Sequence, residues 1–536
     1  MQLIHTGSRF EVICSFGESE IPKKAGFRWD QRKKRWFTGN AILAMQFIQF
    51  ADFLAHDILA AHQAAIDSSR AQDSDIFIPT PDGLSFLPFQ KGGVAYSVPR
   101  EHTLNGDEPG LGKTIQAIGH INKEEHIKRV AVCTTASLKI NWQREIEKWQ
   151  SRNMSVGIAD RKAWPNTDVI IFNYENAIEA AEMGLDDVNW DLFVLDEAHF
   201  LKNPDTKRTQ ALLGVWDRGR CILPPVRAKQ YLFMTGTPIM NKPKDLWPIL
   251  RKVDPKGLGA SYSAFTERYC NGHMTPFGYD AEGASNLSEL QDRLRSTCMV
   301  RRLKKDVLPE LPLKRRQIIP IPASVARVAA QAELEFYNKH SDAIERAREQ
   351  ADMFQGRGDE ASYKKATSDL NSHMKLLFES MSSLRKATGL AKVPFAKTFI
   401  EQILLESEKL VVFAHHNEVL DLLFAKFSGI SVMHRGEMSN VDKQRSVDVF
   451  QENPKCRLFF GSITAAVGYT VTAASRELFV ELDWRASVVK QAEDRCARIG
   501  QQFSVLVQHL IFDSSLDALQ VKTIVRKLEI EEQALG

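Results

Sequence analysis

Over most of the chain, apolar residues gather in short β-branched runs separated by stretches of helical spacing. VAVCTT (130–135), DVIIFN (168–173), LFVLDE (192–197) and YLFMTG (231–236) are nearly continuous apolar runs. Such runs predict strands buried on both faces, and the helices between them predict a parallel sheet. The alternation resumes in KLVVFA (409–414), ISVMH (430–434), CRLFFGS (456–462), ELFVEL (477–482) and SVLVQHLI (504–511). The N-terminal pattern differs. Phe10, Val12, Cys14 and Phe16 alternate as in a half-exposed strand, and polar residues recur every three or four positions from Ile42 to Ile66, as in one amphipathic helix. Residues 251–300 read as irregular and helical and 299–316 as a basic hinge. Residues 325–388 read as long charged helices, a protrusion with a flexible break at 356–360.

The fold class expected is α/β. A small α+β unit at 1–75 precedes a parallel-sheet lobe at 76–250. Helical insertions and an interlobe linker follow at 251–390, then a second parallel-sheet lobe at 391–536.

Composition narrows the picture only a little. The chain is 43% hydrophobic and 26% charged, an ordinary globular balance. A net charge of +3 means that any basic binding surface is local. The seven cysteines form no CxxC pair, and no apolar run is long enough to span a membrane. A reducing, cytoplasmic setting, bacterial or in a virus-infected host, is the expectation. The adjacent pair His415-His416 has no further ligands nearby in sequence and makes a poor metal site. One segment is strongly basic: from Ile21 to Trp36, seven Lys and Arg residues face one acid, Asp30, with Phe27, Trp29 and Trp36 interleaved. Lys33, Lys34 and Arg35 are suited to phosphates, with the rings stacking on bases. Equally, the rings could form the core of a small domain whose charges are merely solvated.

Three segments carry chemistry. GDEPGLGKT (106–114) is a glycine-rich turn feeding a helix, in which backbone N–H groups and the helix N-terminus attract phosphates. Gly110 and Gly112 permit the turn, Lys113 reaches the outer phosphates and Thr114 holds Mg2+. Asp107 stands where the general P-loop pattern has glycine. VLDEAH (194–199) ends an apolar strand, so Asp196 is placed to hold Mg2+ and Glu197 to orient and deprotonate water. In QAEDRCARIGQ (491–501), Arg495 and Arg498 are three apart, hence on one helical face, and could reach a γ-phosphate from the second lobe.

Taken in order, these segments resemble the SWI/SNF-like branch of superfamily 2 ATPases, and within it the HepA-related annealing helicases. FLPFQKGGV (86–94), GDEPGLGKT, DEAH (196–199), TGTP (235–238), MVRRLKKDVLPELP (299–312), SITAAVGYT (462–470) and QAEDRCARIGQ carry the resemblance. It implies two RecA-like lobes that hydrolyse ATP with Mg2+ to track along duplex or forked DNA as a monomer, remodelling or reannealing it. It also implies roles for single residues: adenine recognition by Gln90, and coupling of nucleotide state to lobe movement by Thr235, Thr237 and Gln491. Contact with the DNA backbone is implied for Ser137, Lys139, Asn173, Tyr174 and Thr464. FRWDQRKKRW resembles a motif of the HepA-related accessory domain, which favours the DNA-binding reading of the basic segment. Two departures stand out: a segment one residue short between Ser462 and Gly468, and Leu482-Asp483-Trp484-Arg485 in place of a proline-bracketed aromatic pair. The alternatives are a strand-separating DNA or RNA helicase of the same superfamily and a non-hydrolysing DNA-binding scaffold. The scaffold would require a broken site, whereas Lys113, Asp196, Glu197, Arg495 and Arg498 are all present.

Overall fold

The computed structural model describes residues 1–161, 163–217, 220–236, 238, 242–275, 278–310, 314–321, 335–336, 360–466, 468–483 and 485–512. Two parallel sheets dominate them. The first has seven strands, in the order Met299–Val300, His102–Asn105, Ala228–Met234, Trp190–Asp196, Val130–Thr134, Val169–Asn173 and Val156–Ile158. Its central strands are buried along their whole length because successive residues enter two different cores. Phe193 and Leu195 pack on one face with Ala131 and Ile170, whereas Leu192 and Val194 pack on the other with Val130, Val132 and Ile171. Side chains of either parity are therefore mostly apolar along the middle of these strands, which is why they read as nearly unbroken runs, with buried polar residues such as Asp191, Asp196, Thr134 and Asn173 towards their ends.

The second sheet has six strands, in the order Lys314–Ile321, Val505–Phe512, Arg476–Phe479, Leu410–Ala414, Leu458–Ser462 and Ser431–His434. It is sandwiched in the same way, with Val412 and Phe460 on one face and Val411 and Phe459 on the other. Both sheets recruit strands from outside the expected lobes. Met299–Val300 pairs with Leu104 and Asn105, and Lys314–Ile321 runs parallel to Val505–Phe512 over its full length. The basic segment at 299–316 is therefore an edge strand of each sheet with a short bridge between them. Of the charged helices expected at 325–388, one helix, Glu360–Glu406, is described, and the break expected at 356–360 falls almost wholly outside the described residues.

The N-terminal unit is a four-stranded antiparallel sheet, in the order Gln2–His5, Phe10–Ile13, Arg35–Thr38 and Arg28–Asp30, packed on helix Phe53–Arg70. Two expectations fail here. The strand ends at Ile13, because the Ser15 amide and hydroxyl both donate to the Glu18 carboxylate and turn the chain, leaving Phe16 exposed. The single helix over 42–66 is instead two short turns and a helix, since Asn40 caps Ala41–Met45 and Asp52 caps Phe53–Arg70. The basic hairpin divides between both readings offered for it. Phe27 lies in the core, and Arg9, Lys33 and Arg35 converge on the buried carboxylate of Glu11 at 3.0, 2.9 and 3.1 Å. Lys33 and Arg35 thus pair with Glu11 while their side chains stay in part open to solvent. Lys34, in the left-handed conformation at the turn, and Trp29 remain exposed.

The bridge is locked to the glycine-rich loop by a buried ion pair. Asp107 Oδ1 accepts from the Arg302 backbone N–H at 2.9 Å and from its Nε at 3.0 Å, and Asp107 Oδ2 accepts from Arg302 Nη2 and from Gln116 Nε2. Both charged side chains have almost no exposure. Burial by itself would raise the Asp107 carboxyl, but Arg302 and Gln116 hold it below its ordinary range. Arg301 donates to the carbonyls of Gly106 and Gly236, and the Gly106 amide donates to Val300.

Two outcomes follow. Asp107→Asn leaves a guanidinium buried without its counter-charge, so stability should fall by about 3–5 kcal/mol, read as a lowered Tm; an unchanged Tm would contradict the pairing. Glu11→Gln should loosen the N-terminal sheet by about 1–3 kcal/mol, read as faster amide exchange in Phe10–Ile13. Burial raises Glu11, yet its cations draw it down to about 2, so its contribution is complete at neutral pH and is lost as pH falls from 4.5 towards 2.

Candidate active site

Four strands of the first sheet deliver their carboxyl ends to one place: Asn105 leads into the glycine-rich loop, Thr134 into Thr135–Leu138, Asp196 into Glu197, and Met234 into Thr235. Parallel sheets concentrate loops and helix N-termini at that edge. Helix Lys113–Lys123 starts there from Gly112 at φ +74°, behind Gly110 at φ +91°. Space as well as backbone demands glycine at both. A Cβ on Gly112 would lie 2.5 Å from Gln90 Nε2, and one on Gly110 would lie 3.0 Å from Arg498 Cγ.

Around this loop lies a cleft of about 490 Å³. From the first lobe, Gln90, Gly110, Gly112, Lys113, Thr114, Asp196 and Glu197 line it; from the second come Gly468, Thr470, Arg495 and Arg498. All the residues singled out around the phosphates therefore share one cavity. Gln90 Oε1 accepts from the Leu87 amide at 3.0 Å, which fixes its amide plane. Asp196 Oδ2 accepts from Trp142 Nε1 at 2.8 Å and Thr134 Oγ1 at 3.2 Å. Glu197 adopts the left-handed conformation, φ +53°, a cost tolerated at functional sites. His199 Nδ1 lies 3.2 Å from its carboxylate and 3.1 Å from Thr235 Oγ1.

The charges are arranged for an anion. Burial and the adjacent Glu197 push Asp196 up. Burial alone would raise Glu197 too, but His199, Lys113 and Arg495 hold it below the carboxylate range. Burial pulls down Lys113 and Arg495, and burial together with Arg495 pulls Arg498 down to about 9. Three crowded cations, each destabilised by desolvation, are a site that a polyphosphate would relieve.

The arginines reach the cleft by a route other than one helical face. Helix Ala486–Glu493 stops before them, and Gly500 at φ +98° together with the Gln501 side chain folds the next turns back. Arg495 Nε donates to the Gln491 carbonyl at 2.6 Å. Arg498 donates from Nε to the Asp494 carbonyl at 3.1 Å and from Nη1 to Thr470 Oγ1 at 3.0 Å. Gln491 and Thr235 are buried beside the cleft and do not line it, and Thr237 lies outside the described residues.

The residues matched to DNA contact are dispersed. Tyr174 is 1% exposed, stacks on Phe200 and donates its hydroxyl to the Asp196 carbonyl, so it supports the acidic strand and offers no surface. Asn173 is buried and donates to Glu175 at 2.6 Å; Lys139 donates to the Ala159 carbonyl at 3.2 Å. Ser137 and Thr464 remain on the surface side. Thr464 lines a separate groove in the second lobe with His415, His416 and Ser462. In that lobe Asp483 bonds Arg485 at 2.9 Å and Glu481 bonds His416 at 2.6 Å; Trp484 lies outside the described residues. Asn141, Glu145 and Trp149, unassigned from sequence, also face the ATP-sized cleft. Their spacing of four along helix Lys139–Trp149 was the available signal.

Comparison with known proteins bears on all of this. A family model described as SNF2-related domain matches residues 89–389, and one described as helicase conserved C-terminal domain matches 396–500. The chain is 33% identical over 488 residues to mouse DNA annealing helicase and endonuclease ZRANB3, covering 86% of this chain and 42% of that protein. It is 29% identical over 455 residues to the Drosophila melanogaster SWI/SNF-related matrix-associated actin-dependent regulator of chromatin subfamily A-like protein 1, covering 83% and 55%. The chain thus spans about half the length of these relatives. A solved Sulfolobus solfataricus SWI2/SNF2 ATPase core in complex with dsDNA aligns at 22% identity and a TM-score of 0.39, covering 86% of this chain and 96% of that one. Among the described residues no helix is long and apolar enough to cross a membrane. With its glycine-rich loop, its Asp-Glu strand end and its paired arginines in one cleft, and with the family match running from 89 to 389, the chain belongs to the SNF2-related family.

Proposed function

We propose that the chain is a DNA-dependent ATPase that tracks along duplex or forked DNA, remodelling or reannealing it. The observation that carries this reading is the shared cleft, which Lys113 of one lobe and Arg495 and Arg498 of the other both line. In it Lys113 and the loop amides hold the phosphates, and Gln90 recognises the adenine. Thr114 and Asp196 would hold Mg2+, whose chemistry is to neutralise charge on the phosphate oxygens. Their donors suit it: both are hard oxygens facing the same cleft. Glu197, kept ionised by the cations around it and with His199 Nδ1 3.2 Å from its carboxylate, accepts the proton of the attacking water. Arg495 and Arg498 meet the charge that builds on the transferred phosphoryl group.

Hydrolysis is coupled to movement because the arginines and the phosphate loop belong to different lobes. Asn440 of the second lobe donates to the Ala136 carbonyl at 2.8 Å, and a Cβ on Gly468 would collide with Leu138. Ser137 therefore lies between two interlobe contacts, a position suited to sensing both DNA and lobe closure. Ser137, Thr464 and Lys34 are the DNA-facing residues this reading retains. Sequence-independent backbone contacts fit a tracking motor.

The test is ATP turnover measured with single-stranded, duplex and forked DNA and with RNA side by side. Duplex or forked DNA should stimulate most. Lys113→Ala and Glu197→Gln should abolish turnover, a loss of several kcal/mol of transition-state stabilisation, while Glu197→Gln still binds ATP. Turnover near wild type in Glu197→Gln would overturn the assignment of the base, and equal stimulation by RNA would favour a strand-separating RNA helicase.

A further inference from the structure

Lys304 lies in the bridge between the two sheets, outside the ATP cleft, yet it touches both halves of the site. Its backbone N–H donates to Glu108 Oε2, in the glycine-rich loop, at 2.6 Å. Its ammonium crosses to the second lobe, donating to the Ala497 carbonyl at 2.8 Å and to Asp494 Oδ1 at 3.2 Å. These two acceptors bracket Arg495, and Ala497 immediately precedes Arg498.

Asp494 is the pivot of that turn. Its carbonyl accepts Arg498 Nε, and its carboxylate is gripped by Lys304 and by Lys314 at 3.0 Å. Burial would raise this carboxyl, and the two lysines hold it well below its ordinary range. The neighbouring Glu493 is held by Arg316 and His509 and shares Lys314 with Asp494, at 3.3 Å. Of these cations only Lys304 also bonds the phosphate loop. Steric contact adds to the polar ones: a Cβ on Gly110 would lie 3.0 Å from Arg498 Cγ and 3.4 Å from Lys304 Cε. Loop apex, lysine stem and arginine stem are packed against one another.

We infer that Lys304 is a positioning residue that sets the register of Arg495 and Arg498 against the nucleotide loop, so that the bridge transmits lobe closure to the arginines. The inference rests on the ATPase reading above. Without the lysine, the turn at 494–498 keeps Lys314 but loses its tie to the loop, and the arginines approach the phosphoryl group from an altered position. Small misplacement of charge-stabilising groups is costly in turnover and nearly silent in substrate binding.

The experiment is a kinetic cycle on the full chain with Lys304→Met, Arg498→Ala and the double variant, with Tm, ATP affinity and DNA affinity measured on each. Lys304→Met should lower kcat by about 10- to 100-fold with KM and DNA affinity unchanged. In the Lys304→Met background, Arg498→Ala should cost much less than in the wild type, because the two act through one contact. Lys304→Arg, which keeps a cation for Asp494 and the Ala497 carbonyl, should recover part of kcat. Full additivity of the two losses, or a wild-type kcat in Lys304→Met, overturns the proposal. If Lys304→Met melts far below the wild type, the cycle is read on Asp494→Asn, which weakens the same contact from the other lobe and should show the same non-additivity. Should the wild-type chain lack DNA-stimulated turnover altogether, it is the ATPase reading that fails, and this is seen before any variant is compared.

Discussion

The buried pair between Asp107 and Arg302 is the constraint on which the rest of the architecture depends. A charge in the base of a phosphate loop is costly unless its partner is buried beside it. Here the partner comes from the bridge that joins the two sheets, 195 residues along the chain. Satisfying that pair brings Met299–Val300 to the edge of the first sheet and sets Lys304 against Glu108. The bridge can then start the second sheet only from a fixed point, with Lys314–Ile321 pairing along Val505–Phe512. The glycine-rich loop and the segment that connects the lobes are thereby one structural unit.

This explains the division of labour in the cleft. The first lobe holds Lys113, Asp196 and Glu197 at a sheet edge, supported from below by Trp142 and Tyr174. The second lobe supplies cations on a turn, which is easier to displace than a helix face. Burial destabilises all three cations, and a polyphosphate between them would offset that cost.

Much of this was legible in the sequence, for reasons that differ by element. Strands such as LFVLDE and KLVVFA stand out because burial on both faces favours apolar residues along their middle, leaving the polar ones mostly at their ends. The glycine-rich loop, the Asp-Glu pair and the two arginines are local motifs, and each meets the others in one cleft. What escaped was long-range or masked by chemistry. Asp107 is visible as a departure from the P-loop pattern, but nothing local points to Arg302. The pairing of Lys33 and Arg35 with Glu11 is likewise long-range, because Glu11 lies on another strand. Tyr174 follows the family's DNA-contact position, yet its hydroxyl is committed to the Asp196 carbonyl. The helix drawn through 42–66 failed because Asp52 is as good a cap as it is a polar-face residue.

The central claim is that one ATP site is completed by two lobes, and Arg498→Ala tests it most directly. ATP affinity and DNA affinity, by fluorescence anisotropy, are measured beside DNA-stimulated turnover. Both affinities should stay close to wild type while kcat falls by about 10²-fold or more, since the guanidinium acts on the transition state. If DNA affinity falls instead and kcat is spared, Arg498 belongs to the DNA track and the two-lobe site is wrong.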